Sequence, residues 1–364
     1  MRVFAVLALG LLAASPKAPT ESHATPPPSP PPASPAAPGK AAAKPPEKPA
    51  PPAPPTLAVA LPGGAPLDAI QHFLLKPYTE AGGLPVTPFP WDGGSLDGLK
   101  KPAPDLVLVT AAQLSAGCKA QIFNRLDWNR LGRDRYQPEA VSDCGVGAYQ
   151  ETTALAWDPE KLQAAPNWGD FWDVARHPGR RGLPHTARFT LEIALMADGV
   201  TTGDIYRTLR SPDGLDRAFR KLDQLKPYIV WWDKPADAAQ MLATGRVLLT
   251  AAPAGAVLRL TTAKRHFGVQ WTGSLAAWHS WAVPHGAARP DAAALALLVA
   301  GDLARQANFA QATFEAPAAR DALALLPPSL QLQATGNSAL TYDEGFWAEN
   351  GEKLEARFAA WVAK

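Results

Sequence analysis

The sequence predicts an α/β protein of two lobes, each an open, mostly parallel sheet flanked by helices. The chain has 364 residues and is 47% hydrophobic, which is enough for a large core and too long for one simple domain. From residue 57 onward, short buried runs alternate with helical patterns, as they do in open α/β sheets. The formal net charge is +2 and no basic stripe carries interleaved aromatic residues, so the composition does not indicate nucleic-acid binding.

The first 14 residues have the pattern of a signal peptide. Arg2 precedes an apolar run from Val3 to Leu12, and small residues lead to an expected cleavage site near Ala14. The run is short for a bilayer span, so an uncleaved anchor is the weaker alternative. The sequence therefore predicts export to the periplasm.

Residues 15–56 are rich in Pro and Ala and contain little that builds a core. Because proline fixes φ and removes a backbone donor, this segment is predicted to be an extended, disordered linker. It serves either as a spacer or as a tail without a role.

The predicted elements of the first half alternate strand and helix. Residues 57–61 are a short apolar strand, and residues 67–83 have helical spacing that ends at a Gly-Gly pair. Residues 84–94 form a second strand and a turn, residues 95–101 a short helix, and residues 104–114 an apolar strand that enters a turn.

The predicted elements of the second half are richer in tryptophan. In chain order they are a Trp-rich helix and turn (168–184), a helix (190–200), two helices and a strand (201–232), a helix that ends at Gly245 (234–245), a buried strand (246–255) and, after the stretch LAAWHSWAVPHGA (275–287), one long Ala-rich helix (290–311). The second helix of 201–232 is expected to begin at Ser211, a favoured N-cap residue.

Cys118 and Cys144 are the only cysteines of the chain. An even number in an exported protein favours one disulfide, which closes a loop of about 27 residues and stabilises the fold by roughly 3 kcal/mol. Two buried thiols are the alternative, and a catalytic cysteine is a third reading.

The order of several short segments resembles that of the spermidine/putrescine-binding extracellular solute-binding proteins of ABC importers. The segments are PWDGG, LDW, VSDCGVGA, NWGDFWD, HPGRRGL, ALMADGV, LDQLKP, VWWDKPADAAQMLATGRVLLT and WAVPHGA. No single segment is decisive, but their order and spacing from residue 57 to the end of the chain make the resemblance specific. It implies the two-lobed type II periplasmic binding protein fold, with two chain crossings between the lobes and the ligand in the cleft.

The resemblance also implies a domain division and a set of partners. Residues 57–153 and 280–330 are expected to form lobe 1, and residues 154–279 and 331–364 lobe 2. The protein is expected to be a monomeric, non-enzymatic binder without cofactor or metal. It is expected to deliver a small-molecule solute to an ABC permease and its ATPase in the inner membrane.

The candidate ligand residues stand where the resemblance places the cleft. They are Trp91, Asp92, Thr110, Tyr149, Glu151, Thr186, Arg188, Trp278 and His279. Trp278 and His279 belong to the predicted second crossing, where an aromatic ring face suits the methylene and ammonium groups of an organic cation. The two are expected to form part of one wall of the cleft.

A structural role is the alternative for several of these residues. Trp278 and His279 pack against the crossing strand in that reading, Asp92 caps the Gly-Gly turn that follows it, and Glu151 is a surface charge. The nearby Trp281 is expected in the core, because tryptophan carries a large apolar surface.

At three places the sequence departs from the polyamine-binding relatives. His279 stands where they carry an acidic residue, Thr186 and Arg188 stand near where they carry an acidic pair, and the plain run AAPAG follows RVLLT. Because a buried ammonium without a counter-charge is costly, polyamines should bind more weakly here than in the relatives. The sequence thus predicts a small organic amine whose affinity falls as His279 protonates below about pH 6.

Two further functions remain as alternatives. An orphan binding or sensor protein with a non-amine ligand is favoured by the plain AAPAG run. A thiaminase-like enzyme on the same fold requires a free, reactive cysteine in the cleft. No G-x-S-x-G motif, adjacent tyrosines or histidines at zinc-helix spacing occur, so serine hydrolysis and metal binding are not predicted.

Overall fold

The structure is a computed structural model, and it describes residues 54–63, 66–262, 264–328, 330–331 and 339–364. The predicted signal peptide, residues 1–14, lies outside these residues, as does nearly all of the predicted linker. Within the described part of the chain, no helix combines the length and the apolar character needed to cross a membrane.

The strands of the described residues form one mixed sheet. Their order is β2-β1-β3-β8-β4-β7-β5-β6, with β9 beside β4 and β10 beside β8. In chain order the strands are β1 (Leu57–Ala60), β2 (Val86–Phe89), β3 (Leu106–Thr110), β4 (Gly145–Trp157), β5 (Arg181–Pro184), β6 (Ile229–Trp232), β7 (Leu249–Pro253), β8 (Gly268–Ala282), β9 (Ala316–Pro317) and β10 (Leu340–Thr341).

Helices flank this sheet on both sides of its centre. The α-helices are α1 (Leu67–Ala69), α2 (Lys76–Glu80), α3 (Ala111–Lys119), α4 (Trp128–Leu131), α5 (Trp168–Trp172), α6 (Ala187–Ala197), α7 (Ile205–Leu209), α8 (Pro212–Leu225), α9 (Pro235–Ala243), α10 (Ala254–Leu258), α11 (Pro290–Ala300), α12 (Leu303–Thr313) and α13 (Glu344–Val362). Short 3₁₀ turns cover Leu96–Leu99, Arg133–Arg135, Pro138–Ala140, Thr202–Asp204, Lys226–Tyr228 and Arg320–Leu325.

Capping residues begin and end several helices, and at Ser211 and Gly245 they do so where the sequence predicts it. Ser211 accepts a hydrogen bond from the Gly214 backbone N–H at 3.1 Å and so begins α8. Thr110 begins α3 in a capping box with Gln113. Gly245 follows α9 with φ +72°, a conformation that glycine adopts without steric cost.

Residues 290–311 form two helices rather than the single one predicted. Helix α11 ends at Ala300 and α12 begins at Leu303. Gly301 is a poor helix former, and Asp302 accepts a hydrogen bond from the Arg305 backbone N–H at 3.2 Å, which starts a new helix. A π-helical turn, Ile70–Leu75, likewise interrupts the predicted helix at 67–83 just before a proline.

The predicted disulfide between Cys118 and Cys144 is confirmed. It joins the last turn of α3 to the residue before β4, with the two Cα atoms 6.0 Å apart. Because the chain has no other cysteine, no free thiol remains.

Strands β4 and β8 are the two chain crossings that the sequence predicts. They pair antiparallel through the centre of the sheet. The last residues of β8 also pair with β3, and the last residues of β4 also pair with β7. Strand β4 therefore runs from the first half of the fold into the second, β8 returns from the second half to the first, and the two-lobed α/β architecture is confirmed.

Each half has its own hydrophobic core on its side of the crossing strands. Leu57 and Phe309 belong to the main cluster of the first half, and Phe171 and Trp347 to that of the second. The C-terminal helix α13 packs against α6 of the second half and also against α3 of the first. It therefore touches both halves beside the crossing strands.

Candidate functional site

The crossing strands reach solvent in the middle of their length. In β4, Gln150, Glu151 and Thr152 are partly exposed between buried residues, and in β8 the same holds for Ala277 and His279. We call these five residues the crossing patch. It lies where the crossing strands pass between the cores of the two halves, and the junction of two structural units is a common place for a ligand site.

Strand register brings three of the predicted residues into one row. Thr110 of β3 pairs with His279 of β8, which pairs with Tyr149 of β4. Directly paired residues point to the same face of a sheet, so the three side chains share a face. The Tyr149 and His279 rings stack at 4.8 Å between centroids, with 11° between their planes. The Thr110 hydroxyl is also used in capping α3.

The polar atoms of the stacked pair have no hydrogen-bond partner in the described structure. The Tyr149 side chain is fully buried with its hydroxyl unpartnered, and the Nδ1 atom of His279 is buried and unpartnered as well. Buried polar atoms are nearly always paired, so each such atom requires an explanation. Tyr149 borders the crossing patch and His279 belongs to it, so this place is the candidate ligand site.

The predicted protonation of His279 near pH 6 is wrong. Burial lowers the pKa of His279 from 6.5 to about 4, because desolvation penalises the charged imidazolium. The ring is therefore neutral throughout the physiological range. It offers hydrogen bonds and a ring face, but no positive charge.

Two carboxylates occupy the next row on the same face. Glu151 of β4 lies opposite Ala277, whose small side chain leaves room above the strand. Glu315 comes from the segment between α12 and β9 and is buried. Burial raises the pKa of Glu151 from 4.5 to about 7, and burial together with the Glu151 charge raises the pKa of Glu315 well above its ordinary value.

One guanidinium group stands beside this carboxylate pair. Arg259, which directly follows α10, lowers the pKa of Glu151 and of Glu315 by its positive charge. Its Nη1 atom donates a hydrogen bond to the Thr313 carbonyl at the end of α12, at 2.7 Å. Arg259 therefore balances one of the two negative charges when both carboxylates are ionised.

Thr186 and Arg188 hold a carboxylate that belongs to the protein itself. Glu355 of α13 accepts hydrogen bonds from the Thr186 hydroxyl at 2.5 Å and from the Ala187 backbone N–H at 2.9 Å. The Nε atom of Arg188 lies 3.8 Å from the same carboxylate, and its guanidinium lies over the Trp347 ring. These contacts fasten α13 to the start of α6.

Trp91 and Asp92 make local contacts in the loop after β2. Asp92 is exposed and accepts a hydrogen bond from the Gly94 backbone N–H at 2.8 Å, which is the turn-capping arrangement. Trp91 donates through Nε1 to a carbonyl four residues on. The side-chain amide of Gln113 donates to a carbonyl of the same turn at 2.6 Å, which places the loop beside the start of α3.

Trp278 and Trp281 are core residues. Their side chains are 6% and 1% exposed, and the Trp278 ring packs against the backbone of Gly147. The Nε1 atoms of both rings have no partner in the described residues. Of the four residues of the WHSW stretch, His279 is the one that belongs to the crossing patch.

The structure thus brings together four of the nine predicted residues, namely Thr110, Tyr149, Glu151 and His279. Glu315 and Arg259 belong to the same cluster but have no signal in the sequence, because the pairing of β4 with β9 brings Glu315 beside Glu151 and the end of α10 brings Arg259 there. Among the described residues, no group of three His, Cys, Asp or Glu side chains is arranged to hold a metal ion.

Four surface cavities of about 350 to 810 Å³ lie elsewhere on the protein, and none is lined by a predicted ligand residue. One of them, of about 740 Å³, follows the β2 edge of the sheet and has mostly apolar walls. The crossing patch, together with its buried neighbours Tyr149 and Glu315, is therefore distinguished by unpartnered polar atoms and a pair of carboxylates rather than by cavity size.

The sequence of this chain matches that of a known protein family over most of the folded part. The profile of the family described as bacterial extracellular solute-binding protein matches residues 94–336. The chain is also 36% identical over 321 residues to the gamma-aminobutyric acid-binding protein of Pseudomonas aeruginosa, covering 85% of this chain and 91% of that one.

Solved structures share the fold. A GABA receptor superposes with a TM-score of 0.77 at 26% identity, over 85% of this chain and 98% of the receptor. The spermidine/putrescine-binding protein of an ABC transporter from Streptococcus pneumoniae superposes with a TM-score of 0.67, over 84% of this chain and 99% of that one. The latter is 15% identical, so this likeness concerns the fold alone.

Proposed function

The chain belongs to the bacterial extracellular solute-binding proteins of ABC transporters, and we propose that the solute it captures is a small molecule with one protonated amine. Proteins of this kind deliver a small-molecule ligand to a membrane permease complex. The class of ligand proposed includes 4-aminobutyrate, other short ω-amino acids and simple monoamines.

The observation that carries this proposal is the face of the crossing strands around Tyr149, Glu151 and His279. Two neutral side chains with unpartnered polar atoms stand next to a partly exposed carboxylate. An ammonium group donates up to three hydrogen bonds and brings a positive charge, so it complements both kinds of group.

Two comparisons support an amine rather than another small solute. The relative from Pseudomonas aeruginosa and the GABA receptor are both named for γ-aminobutyrate, which carries an amine. A polyamine is favoured less, because His279 is neutral and Thr186 and Arg188 already hold Glu355. At these positions a second ammonium group therefore finds no carboxylate, because His279 is neutral and the Glu355 carboxylate is already hydrogen-bonded.

A binding role agrees with the state of the two cysteines. The thiaminase-like alternative requires a free thiol, and Cys118 and Cys144 are joined to each other. A disulfide sulfur is not available as the thiolate nucleophile.

We also propose the lobe boundaries given by the sequence, with residues 57–153 and 280–330 in lobe 1. The changes of lobe then fall within β4 and close to the end of β8. Such a division makes the crossing patch the hinge side of the cleft, where closure of the lobes covers a bound solute.

Calorimetry of the exported, processed protein tests the proposal. The panel contains 4-aminobutyrate, putrescine, spermidine, a quaternary amine and butyrate, which lacks the amine. Binding of at least one monoamine, with none of butyrate, supports the proposal. Failure of every amine at millimolar concentration, together with binding of an amine-free solute, contradicts it.

Two variants test the position of the site. His279→Ala is expected to weaken binding of the amine, because His279 reaches the crossing patch. Trp278→Ala removes a core ring and is the control for a general loss of packing, measured by its melting temperature. Unchanged affinity in His279→Ala removes the support for this face of the crossing strands.

A further inference from the structure

Glu151 and Glu315 are placed opposite each other by the pairing of β4 with β9. Gln150 pairs with Ala316 and Tyr149 with Pro317, so the register continued by one residue sets Glu315 beside Glu151. The backbone of Thr152 hydrogen-bonds the Glu315 carboxylate, which fixes this carboxylate at the strand. Two carboxylates in directly opposite positions repel each other unless a cation or a proton lies between them.

When both carboxylates are ionised, the charges around the pair leave one negative charge unbalanced. Arg259 lowers the pKa of both carboxyl groups and is anchored to the Thr313 carbonyl on its other side. It is the one cation found to act on the pair within the described residues. Two ionised carboxylates and one guanidinium sum to a single negative charge.

Two neutral groups face the same place. Burial, and after it the charges of Glu151 and Glu315, raise the pKa of Tyr149, whose buried hydroxyl has no partner in the described structure. His279 stacks on the Tyr149 ring, and its Nδ1 atom is also unpartnered. A polar side chain buried without a partner beside an uncompensated charge indicates a missing hydrogen-bonding cation.

We propose that Glu151 and Glu315 form one cation subsite that binds a single protonated amine of the ligand, with Tyr149 and His279 as its neutral neighbours. This inference rests on the proposed function and deepens it. The ammonium donates hydrogen bonds to the two carboxylates and to the Tyr149 oxygen, and its charge brings the cluster to neutrality with Arg259. The subsite therefore selects for one ammonium group.

A proton takes the place of the amine when the site is empty. The groups that face the pair are Arg259 from the end of α10, Tyr149 from β4 and His279 from β8. Tyr149 and His279 stay neutral near pH 7, so the carboxyl pair itself is the group that titrates. Binding of an ammonium then releases a proton, and acidification weakens binding because protons compete for the same carboxylates.

The test uses 4-aminobutyrate as the probe and titration calorimetry on the processed protein. Glu315→Gln and Glu151→Gln are the test variants, and Glu352→Gln, which changes an exposed glutamate of α13, is the matched control. We expect a loss of at least tenfold in affinity in each test variant and no change in the control. Buffers of different ionisation enthalpy should show proton release in the wild type and less in Glu315→Gln.

The melting temperature of the ligand-free protein provides a second measurement. Glu315→Gln removes the repulsion within the pair. The difference in melting temperature between this variant and the wild type should therefore be more favourable to the variant at pH 8 than at pH 5. If the wild type binds 4-aminobutyrate and both test variants bind it equally well, the subsite is refuted while the proposed function stands. If no amine binds the wild type, the proposed function is refuted. If the effect of Glu315→Gln on the melting temperature is also the same at both pH values, the repelling carboxylate pair is refuted as well.

Discussion

Replacement of Glu192 by glutamine is expected to make the fold less sensitive to pH. Glu192 of α6 is fully buried, and its Oε1 atom accepts hydrogen bonds from the Tyr206 hydroxyl at 3.1 Å and from Trp347 Nε1 at 2.7 Å. Its Oε2 atom has no partner in the described residues. Burial raises the pKa of Glu192 from 4.5 to about 7, because an ionised carboxylate is poorly solvated there.

The direction of the effect follows from linkage. In the unfolded chain the carboxyl ionises near its ordinary pKa of 4.5, whereas in the folded protein it keeps its proton to about pH 7. The free energy of unfolding therefore falls as the pH rises through this window. The full loss is about 3 kcal/mol, and most of it falls between pH 5 and pH 8.

Glutamine accepts the same two hydrogen bonds but does not ionise, so Glu192→Gln lacks this loss. In a body of roughly 300 residues, a loss of about 2 to 3 kcal/mol corresponds to a shift of about 4 °C in the melting temperature. Thermal unfolding of both proteins is followed by tryptophan fluorescence at pH 5 and pH 8. From pH 5 to pH 8, we expect the melting temperature of the wild type to fall by about 4 °C more than that of the variant.

The exposed Glu352 again offers a matched control, since Glu352→Gln changes the same chemical group without burial. Any constant cost of a buried amide in Glu192→Gln cancels, because the comparison is between two pH values. Equal losses of melting temperature in the wild type and in Glu192→Gln would show that the buried carboxyl does not retain its proton, and the reasoning would be refuted.

Three further changes test the packing around the site. Joint replacement of Cys118 and Cys144 by serine should lower the free energy of unfolding by roughly 3 kcal/mol, and an unchanged urea midpoint would contradict it. Glu355→Gln weakens the charge-assisted contact between α13 and α6, at a cost of about 1 to 2 kcal/mol, and unaltered hydrogen exchange in α13 would speak against this contact. Gly147→Ala introduces a Cβ atom 3.0 Å from the Trp278 ring, so it should destabilise the first half by about 1 to 3 kcal/mol, and an unaffected melting temperature would disprove this crowding.

Much of the fold could be predicted from local patterns. The apolar run within residues 104–114 produces the buried strand Leu106–Thr110, and N-cap residues such as Ser211 start helices, because both effects act within a few residues. The disulfide followed from the number of cysteines in an exported chain. The division of residues 290–311 was missed because a single Gly-Asp pair outweighed a long run of good helix formers.

The candidate site was harder to predict, because it depends on register. Tyr149, Glu151 and His279 were predicted from the resemblance, and β4 and β8 do place them on one face. Glu315 was not predicted, because the two-residue strand β9 leaves no pattern in the sequence. Asp92 and Thr186 have the right position in the chain, but local hydrogen bonds already occupy their side chains.

His279 stands where the relatives carry an acidic residue, and the next row of the sheet supplies a carboxylate in its place. From the sequence, the loss of that carboxylate indicates a weaker site for cations. In the structure, Glu315, the residue just before β9, brings a carboxylate to the same face, next to Glu151. A neutral His279 then stacks on Tyr149 without opposing the positive charge of an amine. The charge available to a ligand is thus a property of the face that several strands build together, and a position-by-position comparison with relatives misses it.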